Sequence, residues 1–369
     1  MSMRNTVAVA GVGETEYSRD SGRSELQLAL EATLKALDDA GIDPSEVDGI
    51  MRWSVDSSTE QMVASNLGVR DLAWFGEVNA AGPAAAAIVA HAASAIHAGL
   101  ANVIVLYRGV NGRSGRRYGR GDVTGQGGRG AGAFSEPYGM LAPQMGLAMT
   151  TRRRMYEQGY TSRQFGMVAV TQRMHANRNP KAMFFDQPLS IEDHQNSRFV
   201  VDPLHLYDCC LETDGGGALV LTSADRARRR KGPVATIRAA AQVGSGAGPN
   251  GDRLRKRIFE QAGIAPSDVD VVQIYDHFSP FVVFGLESNG FVKPGEGGEF
   301  VESGGISWAG GELPVNTSGG HLSEAYLQGM NHLIEAVRQA RGESTAQVRD
   351  ARFSFVDTSV GAVIFERSE

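Results

Sequence analysis

DAGIDPSEVD at residues 39–48 and QAGIAPSDVD at residues 261–270 are two copies of one segment. Each follows an apolar helical pattern, Leu26 to Leu37 in the first and Leu254 to Ile258 in the second. Each precedes a short apolar strand pattern, Gly49–Trp53 and Val271–Tyr275. A second match lies further along. Val78-Asn79, ahead of a small-residue turn and a long helix, is echoed by Val315-Asn316 ahead of Thr317-Ser318-Gly319-Gly320. The period is far too long for a solenoid, so the chain reads as two similar half-domains. Duplicated halves of this kind commonly build one active site at their junction, from loops at matching positions.

Outward from the repeats, strand and helix patterns alternate. Thr6–Val12 reads as a buried strand and Ser24 to Ala40 as an amphipathic helix ended by Gly41. Strands follow at Val47–Trp53 and Leu72–Val78, with a short helix at Thr59–Leu67 between them. An alanine-rich helix to Ala98 has side chains small enough for close packing at the centre of the molecule. Val103–Tyr107 is a further core strand. The Gly- and Arg-rich stretch 108–133 has no periodicity and reads as a long loop. Helices are expected at about 140–158 and 162–178, and a strand at 214–223. The second half is expected to run strand Val234–Val243, helix Gly251–Ala262, strand Val269–Tyr275, a loop, helix Leu322–Arg341 and two closing strands. This is an α/β protein with two central mixed sheets around buried helices. The first half spans 1–232, with an insertion at 108–180, and the second 233–369.

The formal net charge of −6 argues against a general nucleic-acid-binding role, and no apolar run is long enough to cross a bilayer. The N-terminus reads as a first strand rather than a signal peptide. The only two cysteines, Cys209 and Cys210, are adjacent, which suits neither a structural disulfide nor a four-ligand zinc site. They read as core residues of a protein in a reducing cytoplasm.

The strings PVNTSGGHLSEAYLQGMNHLIEAVRQARG (314–342), YDHFSP (275–280) and DCCLETDGGGALVLTS (208–223) resemble the thiolase superfamily. The resemblance is closest to the sterol-carrier-protein-type thiolases and lipid-transfer-protein relatives, and it covers nearly the whole chain. It implies the thiolase fold. Thiolases carry a nucleophilic cysteine at the start of the buried central helix, and here that position falls on Gly82. The family's Gly-His-Pro histidine falls on Tyr326, and its other catalytic dyad falls on Tyr275-Asp276. The second catalytic cysteine is missing from Val356-Asp357-Thr358-Ser359. Tyrosines at both histidine positions resemble the thiolase-like aldolases of bacterial steroid side-chain degradation. That resemblance implies retro-aldol cleavage of a β-hydroxyacyl-CoA to a ketone and a shorter acyl-CoA such as propionyl-CoA. It also implies a homodimeric core, paired through the edge strand Leu72–Val78. A small OB-fold acyl-CoA-binding partner protein would add to it, giving a heterotetramer.

Retro-aldol cleavage needs a base for the β-hydroxyl proton, donors for the thioester oxygen and an acid for the enolate carbon. No cofactor is needed beyond the CoA of the substrate. Tyr275 and Tyr326 are the expected acid–base pair, with the two roles left open. A phenol with its ordinary pKa near 10 is a poor base, so a neighbouring cation or donor has to tune it. His277 and His321 are the candidates nearest in sequence, with Asp276 as a further catalytic or supporting group. Gly82, Ser318, Gly319 and Gly320 are expected at the substrate. The bland readings stand beside these: packed tyrosines, structural histidines, a strand-capping Asp276. The arginines of 108–133 either hold CoA phosphates or a partner, or form a solvated loop. The rival to an enzyme is a non-catalytic thiolase-fold subunit that binds acyl-CoA or lipid.

Overall fold

The computed structural model of the chain describes residues 3–80, 82–115, 117, 132–244 and 250–369. The repeat read from the sequence recurs in atomic detail. Helix α1 (Glu25–Ala40) starts in a capping box between Ser24 and Gln27 and stops at Gly41, whose φ of +63° suits glycine. The helix Asn250–Ala262 stops at Gly263, with φ +65°. A single 3₁₀ turn follows each, Pro44–Glu46 and Pro266–Asp268, and then strands β2 (Gly49–Trp53) and β9 (Val271–Ile274). The last residue of each repeat has the same task. Asp48 accepts hydrogen bonds from the N–H groups of Asn102 and Val103, ahead of β4 (Val103–Asn111). Asp270 accepts them from Arg352 and Phe353, at the start of β10 (Phe353–Asp357).

The remaining strands are β1 (Val7–Glu14), β3 (Trp74–Val78), β7 (Asp214–Ser223), β8 (Val234–Gln242) and β11 (Gly361–Ser368). A separate small hairpin is made by β5 (Phe199–Val201) and β6 (Leu204–His205). The sheet order is β3-β2-β4-β7-β1-β8-β11-β10-β9. Val315 bridges to β9 in parallel, as β3 pairs with β2, so the second half repeats the first in reverse order. The expectation of two sheets is corrected here. β1 and β8 pair antiparallel through Ala8–Thr236 and Val9–Ala235, which joins the half-sheets into one hydrogen-bonded sheet of nine strands. Pairing satisfies the backbone groups of both half-sheet edges at the junction.

Past α2 (Glu60–Leu67), helix α3 (Ala85–His97) and the helix Met330–Arg341 occupy matching places in the two halves and pack into one apolar core with strands of both. α1 lies on the other face of the first half. Gly11 and Gly13 of β1, Gly109 of β4 and Gly216 of β7 lie under it. A Cβ at any of the four would overlap α1 backbone atoms. The glycine content is thus partly a packing requirement, since only bare backbone lets the helix settle so close.

Three sequence expectations change. β4 runs on to Asn111, so Arg108 is a buried strand residue rather than the start of a loop. Residues 116 and 118–131 of the Gly/Arg-rich stretch lie outside the described residues. The segment expected as a plain loop between 275 and 322 contains the helices Pro280–Ser288 and Gly297–Glu302. The helix expected from Leu322 begins only at Met330, after a short turn at Gly320–Ser323. Gln328 and Gly329, with φ of +53° and +97°, interrupt it.

Gly11→Ala is expected to destabilise the fold by at least about 2 kcal/mol, because overpacking against fixed backbone has no cheap relaxation. Thermal unfolding would register this as a lower midpoint, and an unchanged midpoint would contradict the packing argument.

Candidate active site

The two halves place their chemistry at one point. Tyr275 follows β9 and is tied to β10 by its N–H, which donates to the Asp357 carbonyl at 2.9 Å. Tyr326 lies in the break ahead of the helix Met330–Arg341, and its N–H donates to Thr213 Oγ1 at 3.0 Å. The two phenol oxygens are 2.9 Å apart. Gly82 opens the turn into α3, and a Cβ built on it would stand 2.6 Å from Tyr275 Oη. The tyrosine hydroxyl therefore fills the space where a side chain at position 82 would begin.

Asp276 is fully buried beneath this pair. It accepts hydrogen bonds from the N–H groups of His321 (3.0 Å) and Leu322 (3.2 Å) and from His332 Nε2 (2.8 Å). Burial alone would raise its carboxyl pKa. The His321 and His332 imidazoles and the backbone donors reverse this and hold it below the ordinary aspartate value. Its oxygens are occupied by the turn 320–323 and His332 and do not line the cavity described below.

Neither histidine supplies the cation that the sequence reading asked for. Burial pushes His321 well below the ordinary imidazole range, and His332, stacked with ring centroids 4.2 Å apart, adds to that. Its Nε2 accepts from the Gly329 N–H at 3.0 Å, so the neutral ring carries its proton on Nδ1, 3.2 Å from Asp276. The ring packs edgewise on both phenols, with centroids 4.7 Å from each. Burial likewise pushes His277 down to about 4. Both imidazoles are neutral at neutral pH and pack against the phenols, His321 on both and His277 on Tyr275.

A cavity of about 800 Å³ opens beside the pair, with Tyr326 and His277 on its wall. Tyr275 and Gly82 stand behind Tyr326. Pro143, Leu147, Phe184, Leu206 and Phe278 supply apolar wall, while Arg19, Arg113, Arg117 and Arg198 lie on the same lining. Cys209 and Cys210 are also on this wall, not in the core as expected. Burial pushes the Cys209 thiol up to about 12 and Cys210 well above its ordinary value, so both stay protonated. Ser318, Gly319 and Gly320 do not reach the cavity. Ser318 donates to Glu324 at 2.7 Å, Gly319 (φ +110°) lies against Ala176, and a Cβ at Gly320 would overlap Asp276.

Several residues here escaped the sequence reading. Asn316 bonds both the N–H and the C=O of Ile274, at 2.8 and 2.9 Å, fixing the end of β9. Arg108 is buried between Asp56 (2.6 Å) and Gln328 Oε1 (2.8 Å), beside the Gly82 turn. Glu324 accepts from Ser318, Asn179 (2.9 Å) and Asn331 (3.1 Å), tying the break that carries Tyr326 to three segments. The repeated Val-Asn signal could have pointed to Asn316. Nothing in the sequence marks Arg108 or Glu324, because their partners come from distant segments.

The comparisons with known proteins fit this geometry. Residues 253–368 match the family described as thiolase C-terminal domain-like. The chain is 46% identical to a steroid side-chain-cleaving aldolase of Thermomonospora curvata, across 96% of this chain and 95% of that one. The chain belongs to the thiolase superfamily, in its sterol-carrier-protein-type branch. Another relative in this branch is the 17-hydroxy-3-oxo-4-pregnene-20-carboxyl-CoA lyase of Mycobacterium tuberculosis, 44% identical across 96% of both chains. A solved structure described as an Ltp2-ChsH2(DUF35) aldolase superposes with a TM-score of 0.93, at 42% identity over 99% of both chains. Human mitochondrial 3-ketoacyl-CoA thiolase shares the fold, with a TM-score of 0.70 at 14% identity.

Glu324 makes the site sensitive to pH. Burial, with Glu14 nearby, pushes its carboxyl up to about 8, so the folded chain keeps a proton that the unfolded chain loses near 4.5. Stability should therefore fall as pH rises from about 5 to 8. Glu324→Gln should flatten that slope in denaturant titrations, and parallel slopes for the two proteins would refute the assignment.

Proposed function

We propose that this chain is a carbon–carbon lyase that cleaves a bulky β-hydroxyacyl-CoA by retro-aldol reaction, releasing a ketone and a shorter acyl-CoA such as propionyl-CoA. The observation that carries the reading is the Tyr275–Tyr326 hydroxyl pair standing over Gly82. A thiolase needs a thiolate at the start of α3. Here glycine holds that position and the chain's two cysteines are protonated elsewhere.

Tyr326 faces the cavity and so meets the substrate. Tyr275 lies behind it at the N-terminal end of α3, where the helix dipole favours negative charge. In the proposed cycle the pair, sharing one phenolate, takes the β-hydroxyl proton. The Cα–Cβ bond breaks, its electrons pass into the thioester as an enolate, and the ketone leaves. The pair then returns the proton to Cα and ends as it began. With His277 and His321 neutral, the end of α3 and the hydrogen bond within the pair are the features placed to stabilise a phenolate there. Asp276 acts as a positioning residue, and Ser318, Gly319 and Gly320 shape the turn behind the tyrosines.

The apolar wall suits a ring-bearing acyl body, in keeping with the steroid substrates in the relatives' names. Arg19, Arg113, Arg117 and Arg198 suit the CoA phosphates. No metal or redox cofactor enters this chemistry. Among the described residues no helix is long and apolar enough to cross a membrane. The two free cysteines fit a cytoplasmic setting.

The DUF35 component named with the solved relative supports a second protein, which we read as an OB-fold acyl-CoA-binding partner. β3 is an end strand of the sheet and carries Phe75, 55% exposed. It is the proposed seam of a homodimer, to which two partner chains would add to give a heterotetramer. Light scattering at micromolar concentration should give a dimer mass for the chain alone and less dimer for Phe75→Asp. A monomeric wild type would remove this arrangement.

Tyr275→Phe and Tyr326→Phe should each fold normally, since one hydroxyl hardly changes volume. Each should lose about a hundredfold or more in turnover of a cyclic β-hydroxyacyl-CoA, followed by mass analysis of the ketone. Gly82→Ala should also slow turnover, by displacing the Tyr275 hydroxyl. Turnover by both Phe variants within about threefold of wild type would exclude the pair and favour a non-catalytic acyl-CoA-binding subunit.

A further inference from the structure

Arg173 stands apart from the other arginines on the cavity wall. It lies on the helix Ser162–Ala176 and is 4% exposed, yet it lines the cavity. Arg113 and Arg117 share the carboxylate of Glu212. Arg173 has no carboxylate within ion-pair distance among the described residues. Its Nε donates to Ser323 Oγ at 3.0 Å and its Nη1 to the Gln187 carbonyl at 3.0 Å. Both acceptors are neutral. Its guanidinium carbon lies 3.8 Å from the centroid of the Phe184 ring and 5.9 Å from that of Tyr207. Burial lowers its pKa only to about 10, so it remains charged at neutral pH.

A guanidinium has five N–H donors, and two hydrogen bonds hold this one to the protein. A buried cation without a counter-charge is costly to keep, so the fold retains an unfavourable arrangement with donors to spare beside a cavity. Met183, Phe184, Leu206 and Tyr207 line the same cavity. That environment suits the apolar body of a substrate better than a strongly hydrated phosphate. The turn that receives the Nε bond is also the one that leads into Tyr326, so the guanidinium is fixed relative to the reacting centre.

We infer that Arg173 is a specificity-determining residue that donates to an oxygen, a ring ketone or hydroxyl, on the acyl body of the substrate, away from the thioester and the β-hydroxyl. The inference rests on the aldolase reading. Ser323 and the Gln187 carbonyl fix the plane of the guanidinium, and the face of Phe184 covers it. An acyl body with an acceptor in that plane gains a charge-assisted hydrogen bond. One without it leaves a desolvated cation facing hydrocarbon, and this penalty makes sites built on polar groups selective.

The test uses two synthetic cyclic β-hydroxyacyl-CoA thioesters that differ only in a ring ketone against a methylene. Cleavage is measured with the full chain, alone and with a DUF35-type partner. Wild type should favour the ketone about ten- to a hundredfold in kcat/KM. Arg173→Met should bring that ratio close to one, and Arg173→Lys should leave an intermediate ratio. A ratio of two substrates in one preparation does not depend on the folded fraction, so a loss of stability in either variant does not mask the result. Wild type cleaving both thioesters equally well would overturn the role of Arg173 and leave the aldolase reading standing. So would equal slowing of both substrates in Arg173→Met, the result expected if Arg173 held a phosphate or the thioester oxygen. Wild type cleaving neither would overturn the aldolase reading, and this inference with it.

Discussion

The buried carboxylate of Asp276 is the constraint on which the site depends. It follows Tyr275 directly and binds the N–H groups of His321 and Leu322 together with the His332 ring. One residue thus joins the end of β9 to the turn 320–323 and to the helix Met330–Arg341. Tyr326 lies in the break between that turn and that helix, so the same anchor sets the approach of the two phenols. The surrounding backbone is committed to it. Gly320 adopts φ +57° where a Cβ would overlap the carboxylate, and Gly319 and Gly329 adopt φ +110° and +97°. A buried, charged, multiply bonded anchor is expensive to desolvate, and it is stable only because every donor around it is in place.

The thiolase scaffold offers one feature to whatever stands at the start of α3, namely the positive end of a buried helix. In this chain a phenol from the other half occupies that place, and glycine at position 82 makes the room. The two changes are one steric fact, since the Tyr275 hydroxyl lies 2.6 Å from where a Cβ would sit. Neutral histidines then serve as walls. Burial that removes charge from His277 and His321 also keeps them from competing with the phenols for protons.

Around this centre the cavity divides by chemistry. Arginines partly neutralised by Glu212 line it together with apolar side chains from residues 143–206. Arg173 is a charge within the apolar part, held by neutral acceptors and an aromatic face. An apolar wall selects size weakly. A fixed donor in that wall selects by chemistry, because the penalty for leaving it unmatched is large.

The sequence by itself determined the duplicated α/β plan. Helix stops at Gly41 and Gly263, the proline turns and the Asp48/Asp270 pair are local signals, and local backbone preference and short-range hydrogen bonding suffice to express them. The thiolase resemblance also marked positions 82, 275 and 326, which the fold brings together. Only the tertiary structure decided how the half-sheets join through β1 and β8, because two residue pairs there leave no pattern in either strand. It alone moved the start of the expected helix from Leu322 to Met330, since the anchors of the break, Asp276 and Asn179, lie far away in the chain. It also set the charge of the histidines and brought in Arg108, Arg173 and Glu324. Burial and long-range partners govern those properties, and neither is encoded in the residues next to them.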